Sequence, residues 1–215
     1  MKSRFLLPML LLTGLGQAEI IDRVAASVGR SVVADSDIRL EIRLSSLMNG
    51  TEPDLRPESR RKTAERLVER ALIETEMEIG RYPAPDPTGI ESDLADLKKQ
   101  RFPTEDAYKK GLAKYGLRDA DVRKYLLQQR AVLTFIDARF GPAVQVMETE
   151  MREYYAGSFV RQWENRSGKP VPPFDEVRAA IEETLRAERV DRLLDEWLTE
   201  GKRRTRIEFR EEAFR

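Results

Sequence analysis

Two short runs of β-branched and small apolar residues near the start of the chain constrain its fold most strongly. They cover residues 20–28 and 31–34, and a Gly-Arg pair separates them. Because Gly29 can supply the positive φ of a tight two-residue turn, the pattern predicts a β-hairpin. The Asp-Ser-Asp sequence at residues 35–37 can then accept hydrogen bonds from the first N–H groups of a helix. A lone hairpin is only marginally stable, so its free edge needs a partner elsewhere in the chain.

Most of the remaining sequence repeats apolar residues at three- and four-residue steps, which is typical of amphipathic helices. The clearest stripe lies between residues 58 and 79, where Gly80 is expected to stop the helix. Thr88 and Glu91 are spaced as a capping box for a later helix, and Asp119 is expected to cap another. The predicted helices cover residues 35–49, 58–79, 88–101, 104–115, 119–140, 148–163 and 174–203.

Proline-rich segments divide these helices. Residues 82–87 hold three prolines and predict a stiff non-helical link, because each proline removes a backbone donor and restricts the residue before it. Residues 165–173, with the sequence NRSGKPVPP, form the strongest predicted linker of the chain. No internal repeat is evident.

The last residues alternate polar and apolar side chains with a period of two, which predicts a strand at 206–210. The N-terminal hairpin is the only candidate sheet for this strand. We therefore predict a mostly α fold with a small antiparallel β element, in which the hairpin and the C-terminal strand close a multi-helix module. The expected organisation is a signal peptide at 1–18, a hairpin and helical arm at 19–163, a linker at 164–173, and a closing helix and strand at 174–215 that complete one composite domain.

The composition excludes several classes of activity. The sequence contains no cysteine and no histidine, which rules out disulfides, thiolate nucleophiles, Ser-His-Asp triads and ordinary zinc sites. No Walker or dinucleotide-binding glycine loop is present. The 38 basic and 38 acidic residues cancel, so we expect no nucleic-acid partner. We predict no catalytic residue, no cofactor and no metal.

Residues 1–18 have the pattern of a secretory signal. Lys2 and Arg4 precede an apolar stretch at 5–15, and Gly16 and Ala18 are small residues at the positions that a signal peptidase reads. The apolar stretch is too short to span a bilayer, although an uncleaved anchor is an alternative. We expect a mature protein in the periplasm, with no stable membrane insertion after cleavage and no access to ATP.

The order of these elements resembles the N-terminal chaperone module of SurA-type periplasmic folding factors and their foldase relatives. The resemblance rests on residues 21–28 with 32–37, on Glu153-Tyr154-Tyr155, and on residues 174–177 through Trp197-Leu198. Relatives of this type carry one or two parvulin prolyl isomerase domains between the aromatic helix and the closing helix. Here only the linker stands at that place, and the histidines typical of a parvulin site are absent. The resemblance therefore implies a chaperone that lacks the isomerase domain.

The first hypothesis is an ATP-independent holdase for unfolded polypeptides, with outer-membrane protein precursors as the expected clients. Such a protein needs apolar and aromatic surface between helical arms, rimmed by charge. An aromatic residue on a helical stripe can equally be a core residue, and Trp197 of the closing helix is assigned to the core. The predicted peptide-binding residues are Phe102, Tyr108, Tyr115, Tyr154, Tyr155, Phe159 and Trp163.

Two other hypotheses remain open. The same helix faces could form an obligate interface, which would make the protein a dimeric structural or interaction protein, and a homodimer is therefore a possible partner. Prolyl isomerase or other enzymatic activity is the least favoured alternative, since the residues that usually support it are missing.

Overall fold

A computed structural model describes residues 22–215, so the predicted signal peptide and residues 20–21 of the predicted first strand lie outside the described range. Three strands form one sheet: β1 (Val24–Val28), β2 (Ser31–Ala34) and β3 (Ile207–Phe209). The strand order is β2-β1-β3, with both pairs antiparallel. The mostly α fold with a small antiparallel sheet is therefore confirmed.

The C-terminal strand pairs with the hairpin as predicted. Ala26 lies opposite Phe209, and Val28 lies opposite Ile207. Gly29 adopts a φ of 57° in the hairpin turn and donates its N–H to the carbonyl of Arg206 at 2.9 Å. The sheet is thus built from both ends of the described chain.

The helices follow the predicted order. The first five are α1 (Asp35–Asn49), α2 (Pro57–Gly80), α3 (Gly89–Arg101), α4 (Glu105–Tyr115) and α5 (Asp119–Phe140). The remaining three are α6 (Glu148–Tyr154), α7 (Val160–Ser167) and α8 (Phe174–Arg204), and a π-helical segment (Tyr155–Phe159) joins α6 to α7. Short 3₁₀ turns follow α5 and β3.

Two apolar cores hold these elements together. The first core packs the sheet against α2, the C-terminal half of α5 and α8, with Phe135 fully buried at its centre. The second core joins α3 and α4 to the C-terminal half of α1 and the N-terminal half of α5, with Tyr108 at its centre. Ile38 and Ile42 of α1 also pack in the first core, so α1 and α5 contribute to both cores and connect them.

Arg60 of α2 fastens the C-terminal segment to the first core. Its side chain is almost fully buried and donates to the carboxylate of Asp35 at 3.1 Å. It also donates to the main-chain oxygens of Ala213, at 3.1 Å, and Arg215, at 3.2 Å. One guanidinium therefore links the start of α1 to the residues that follow β3.

A further helical unit follows the turn after α5. It consists of α6, the π-helical segment, α7 and the first half of α8. Met151 and Ile181 are its buried apolar residues. At the base of the arm, Arg186 donates to the carbonyl of Gly141 at 3.1 Å, which ties α8 to the turn after α5. We call this unit the arm.

Several local predictions were wrong in detail. Thr88 does not cap α3 with its side chain, because its backbone is helical (φ −67°, ψ −29°) and lacks the extended conformation of an N-cap; its hydroxyl donates to Asp86 at 2.8 Å. The predicted linker starts later, since α7 continues through Ser167. Gly80 is the last residue of α2, and Arg81 adopts the left-handed cap conformation with a φ of 51°. Asp119 is the first residue of α5 and does not cap it; Asp121 instead accepts the N–H of Arg118 at 2.9 Å.

Candidate polypeptide-binding surfaces

Three of the predicted peptide-binding residues form a stack along the arm, which we call the aromatic ladder: Tyr155, Phe159 and Trp163. The ring centroids of Tyr155 and Phe159 are 5.6 Å apart, and those of Phe159 and Trp163 are 5.7 Å apart. In an ordinary α-helix, residues four apart drift by about 40° around the axis. The π-helical segment takes up an extra residue in its turn, which helps to keep the rings in register.

Residues 168–173, which we call the strap, accept hydrogen bonds from two of the three ladder side chains. The Tyr155 hydroxyl donates to the carbonyl of Pro172 at 2.7 Å. The indole N–H of Trp163 donates to the carbonyl of Pro170 at 3.0 Å, and Lys169 offers a second carbonyl at 3.2 Å. All three ladder residues are half-buried. The structure therefore joins the ladder to the predicted linker.

Tyr108 and Tyr115 lie inside the second core. Tyr108 is 1% exposed, and its hydroxyl donates to Asp119 at 2.9 Å. Burial, and then the bond to Asp119, raise the pKa of Tyr108 well above its usual range. Tyr115 is also buried and donates to the carbonyl of Thr51 at 2.9 Å. Both tyrosines support the fold, and neither presents its ring to a client in this conformation.

The two remaining predicted residues are half-buried at different places. Phe102 packs edge-on against Tyr108, with ring centroids 5.4 Å apart, and so belongs to the margin of the second core. Tyr154 ends α6 beside the aromatic ladder. The seven predicted residues are therefore divided between the second core and the arm, and do not form one surface.

A charged groove of about 440 Å³ lies between β2, α1, α2 and α5. Its wall contains a bidentate pair, in which Arg70 donates to both carboxylate oxygens of Glu41, at 2.8 and 2.9 Å. Burial would lower the pKa of Arg70, but the bonds and charge of Glu41 outweigh it and raise that pKa. Glu74 lies at the open rim, where partial desolvation raises the pKa of its carboxyl. The groove combines apolar residues with closely paired charges.

A second groove, of about 630 Å³, lies between the hairpin turn and the C-terminal ends of α2 and α8. We call it the hairpin groove. Val28, Leu72 and Trp197 contribute apolar wall, and Ile79 stands at the rim with 75% of its surface exposed. Because Val28 and Leu72 are nearly buried, the exposed apolar surface of this groove comes mainly from Ile79 and the half-buried Trp197.

The hairpin groove was not predicted as a site. Ile79 was recognised only as a member of the apolar stripe of α2, and Trp197 only as a core residue. Trp197 does pack on Phe135, with centroids 5.6 Å apart, while also lining the groove. The sequence signal for this groove is that the apolar stripe of α2 continues to Ile79, next to Gly80. A stripe alone does not show which of its residues another element covers.

The described residues contain no group of three acidic side chains placed to hold a metal ion. Within residues 22–215, no helix has the length and apolar character needed to cross a bilayer. Comparison with models of known protein families gives no match, and no curated protein matches the chain.

Proposed function

We propose that this protein is an ATP-independent chaperone that holds unfolded polypeptides outside the cytoplasm. The hairpin groove carries the proposal, because it leaves Ile79 uncovered beside the apolar residues Leu72 and Trp197. A client segment with apolar side chains would remove this surface from water, at about 25 cal/mol for each Å² buried.

The extent of the surface supports an open, binding architecture. The chain exposes 15795 Å², whereas a compact monomer of 24.8 kDa exposes about 10,200 Å². Residues 1–21 could contribute at most the surface of an unfolded chain, about 3,300 Å². The rest would still exceed the compact value by about a fifth. Surface of this extent suits a protein that contacts extended chains.

The charge distribution also suits a holdase. Basic and acidic side chains surround the hairpin groove, including Arg30, Glu78 and Arg204. Such a rim keeps exposed apolar surface from associating with other copies of the protein. The secretory pattern of residues 1–18 and the resemblance to SurA-type modules favour a periplasmic location and outer-membrane protein precursors as clients.

The test is suppression of aggregation of an unfolded outer-membrane protein by the purified mature chain without ATP, with an unfolded soluble protein for comparison. We expect suppression to be stronger for the outer-membrane client. Ile79→Ser should weaken it, because the substitution removes the exposed apolar side chain of the hairpin groove. Leu133→Ser is the matched control, since Leu133 is 64% exposed and lies outside the groove.

Sedimentation separates the proposal from an obligate dimer. A tight dimer that buries Ile79 and binds no unfolded client would refute the proposed function. Equal activity of Ile79→Ser and Leu133→Ser would show that the hairpin groove is not the binding surface. Catalysis of proline isomerisation in a test peptide would identify the protein as a prolyl isomerase and contradict the proposal.

A further inference from the structure

The strap meets the aromatic ladder through contacts that recur in the recognition of proline-rich peptides. The rings of Tyr155, Phe159 and Trp163 stack in a row along the arm. Their two polar groups donate hydrogen bonds to carbonyls two residues apart, those of Pro172 and Pro170. Aromatic grooves that bind polyproline II segments use this combination of ring surface and indole or phenol donors.

The sequence of the strap suits that conformation. Residues 169–173 read Lys-Pro-Val-Pro-Pro, and each proline fixes φ near the polyproline II value. Because Pro170, Pro172 and Pro173 have no N–H group, the strap presents mainly acceptors, which match the donors of the ladder. The bonds reach only main-chain oxygens, so they do not depend on the identity of the side chains between the prolines.

The surrounding residues build the site further. Phe174 packs edge-on against Tyr155, with centroids 5.6 Å apart, and Arg152 stands 4.4 Å from the Phe174 ring centroid. The ladder also includes the π-helical segment, a form that is rare and occurs often at functional sites. These features lie on the arm, apart from both apolar cores.

We propose that the aromatic ladder is a binding site for extended, proline-containing polypeptide segments, and that the strap occupies it within the same chain. This inference rests on the proposed function, since it names the class of client segment that the arm takes. A client segment must displace the strap before it binds. Because a tethered ligand competes at an effective concentration of about millimolar, the strap makes binding of a free segment weak.

The probe for the test is the peptide Gly-Lys-Pro-Val-Pro-Pro-Phe, which copies residues 168–174. The control peptide carries alanine in place of all three prolines. Binding is followed by the indole N–H resonance of Trp163, identified by its loss in Trp163→Phe. The double variant Pro170→Ser, Pro172→Ser weakens the strap and retains Pro173 before α8.

We expect the strap-weakened protein to bind the probe at least tenfold more tightly than the unchanged protein does, and to bind the control peptide much more weakly. Adding Tyr155→Phe should lower the affinity for the probe about threefold to tenfold, because the substitution removes one hydrogen bond while keeping the ring. Pro170→Ala, a milder change, replaces the double variant if the arm of the double variant is unfolded.

Equal affinity of the strap-weakened and unchanged proteins for the probe would overturn the inference, as would equal affinity for both peptides. The aggregation assay keeps this outcome separate from the proposed function. Suppression of aggregation without probe binding would refute the ladder site and would still support the proposed holdase function. Probe binding without suppression would support the ladder site and refute the holdase.

Discussion

Replacing Arg60 with methionine should release the C-terminal segment from the first core. The guanidinium is nearly buried, and the substitution leaves Asp35 and the carbonyl of Ala213 without the hydrogen bonds it supplied. Removing one member of a buried ion pair costs about 3–5 kcal/mol. The lower end applies here, because Arg39 still donates to Asp35, at 2.6 Å.

A loss of about 3 kcal/mol corresponds to a decrease of about 6–12 °C in Tm for a protein of this size. Thermal and urea unfolding measure this loss of stability, and amide hydrogen exchange shows which residues it affects. Exchange should accelerate first at Arg210, whose N–H donates to the carbonyl of Ala25 at 2.9 Å. Faster exchange confined to other helices would contradict the assignment of Arg60 to this closure.

Lys62→Met is the matched control on the same helix. Lys62 pairs with Glu58 at 2.8 Å, but both side chains are mostly exposed, so the change should stay within about 0.5 kcal/mol. Arginine, lysine and methionine have similar helix propensities, so the comparison isolates burial and bonding. If Arg60→Met and Lys62→Met unfold within about 0.5 kcal/mol of each other, the argument fails.

Three further predictions test the rest of the fold. Truncation after Thr205 removes β3 and should lower the free energy of unfolding by about 3 kcal/mol or more, since it exposes the edge of β1; an unchanged urea midpoint would contradict the closure. Hydrogen bonds from Arg130 hold the pKa of Asp93 below its usual 3.8. The pair therefore stabilises the fold above pH 3.8, and this stabilisation is lost as the pH falls through the lowered pKa. Asp93→Asn should therefore lower stability by up to about 1 kcal/mol at pH 7, with a difference from the unchanged protein that disappears in acid unfolding curves. Gly116→Ala should lower stability by about 1–2 kcal/mol in thermal unfolding, because Gly116 ends α4 at a φ of 61°, and an equal Tm would refute this.

The secondary structure was predictable because its signals are local. The apolar stripe between residues 58 and 79 became α2, and the alternation at residues 206–210 became β3. Capping was predicted less well. Thr88 has helical backbone angles and donates its hydroxyl to Asp86, and the residue pattern of a capping box does not specify those angles.

The candidate site was predicted only in part. Tyr155 and Tyr108 both lie on apolar helical stripes, yet Tyr108 is buried in the second core and Tyr155 faces the strap. A stripe shows which face of a helix is apolar, but not whether another element covers it. Ile79 shows the converse case, because it belongs to the apolar stripe of α2 and yet 75% of its surface is exposed.

By itself, the sequence determined the elements, their order and the pairing of the last strand with the hairpin. Periodicity and turn residues act over a few positions, and a lone strand had one sheet available. Only the tertiary structure decided which apolar side chains are covered, that Arg60 joins the two ends of the described chain, and that the strap lies on the aromatic ladder. These features depend on contacts between residues distant in sequence, which packing of the whole chain fixes.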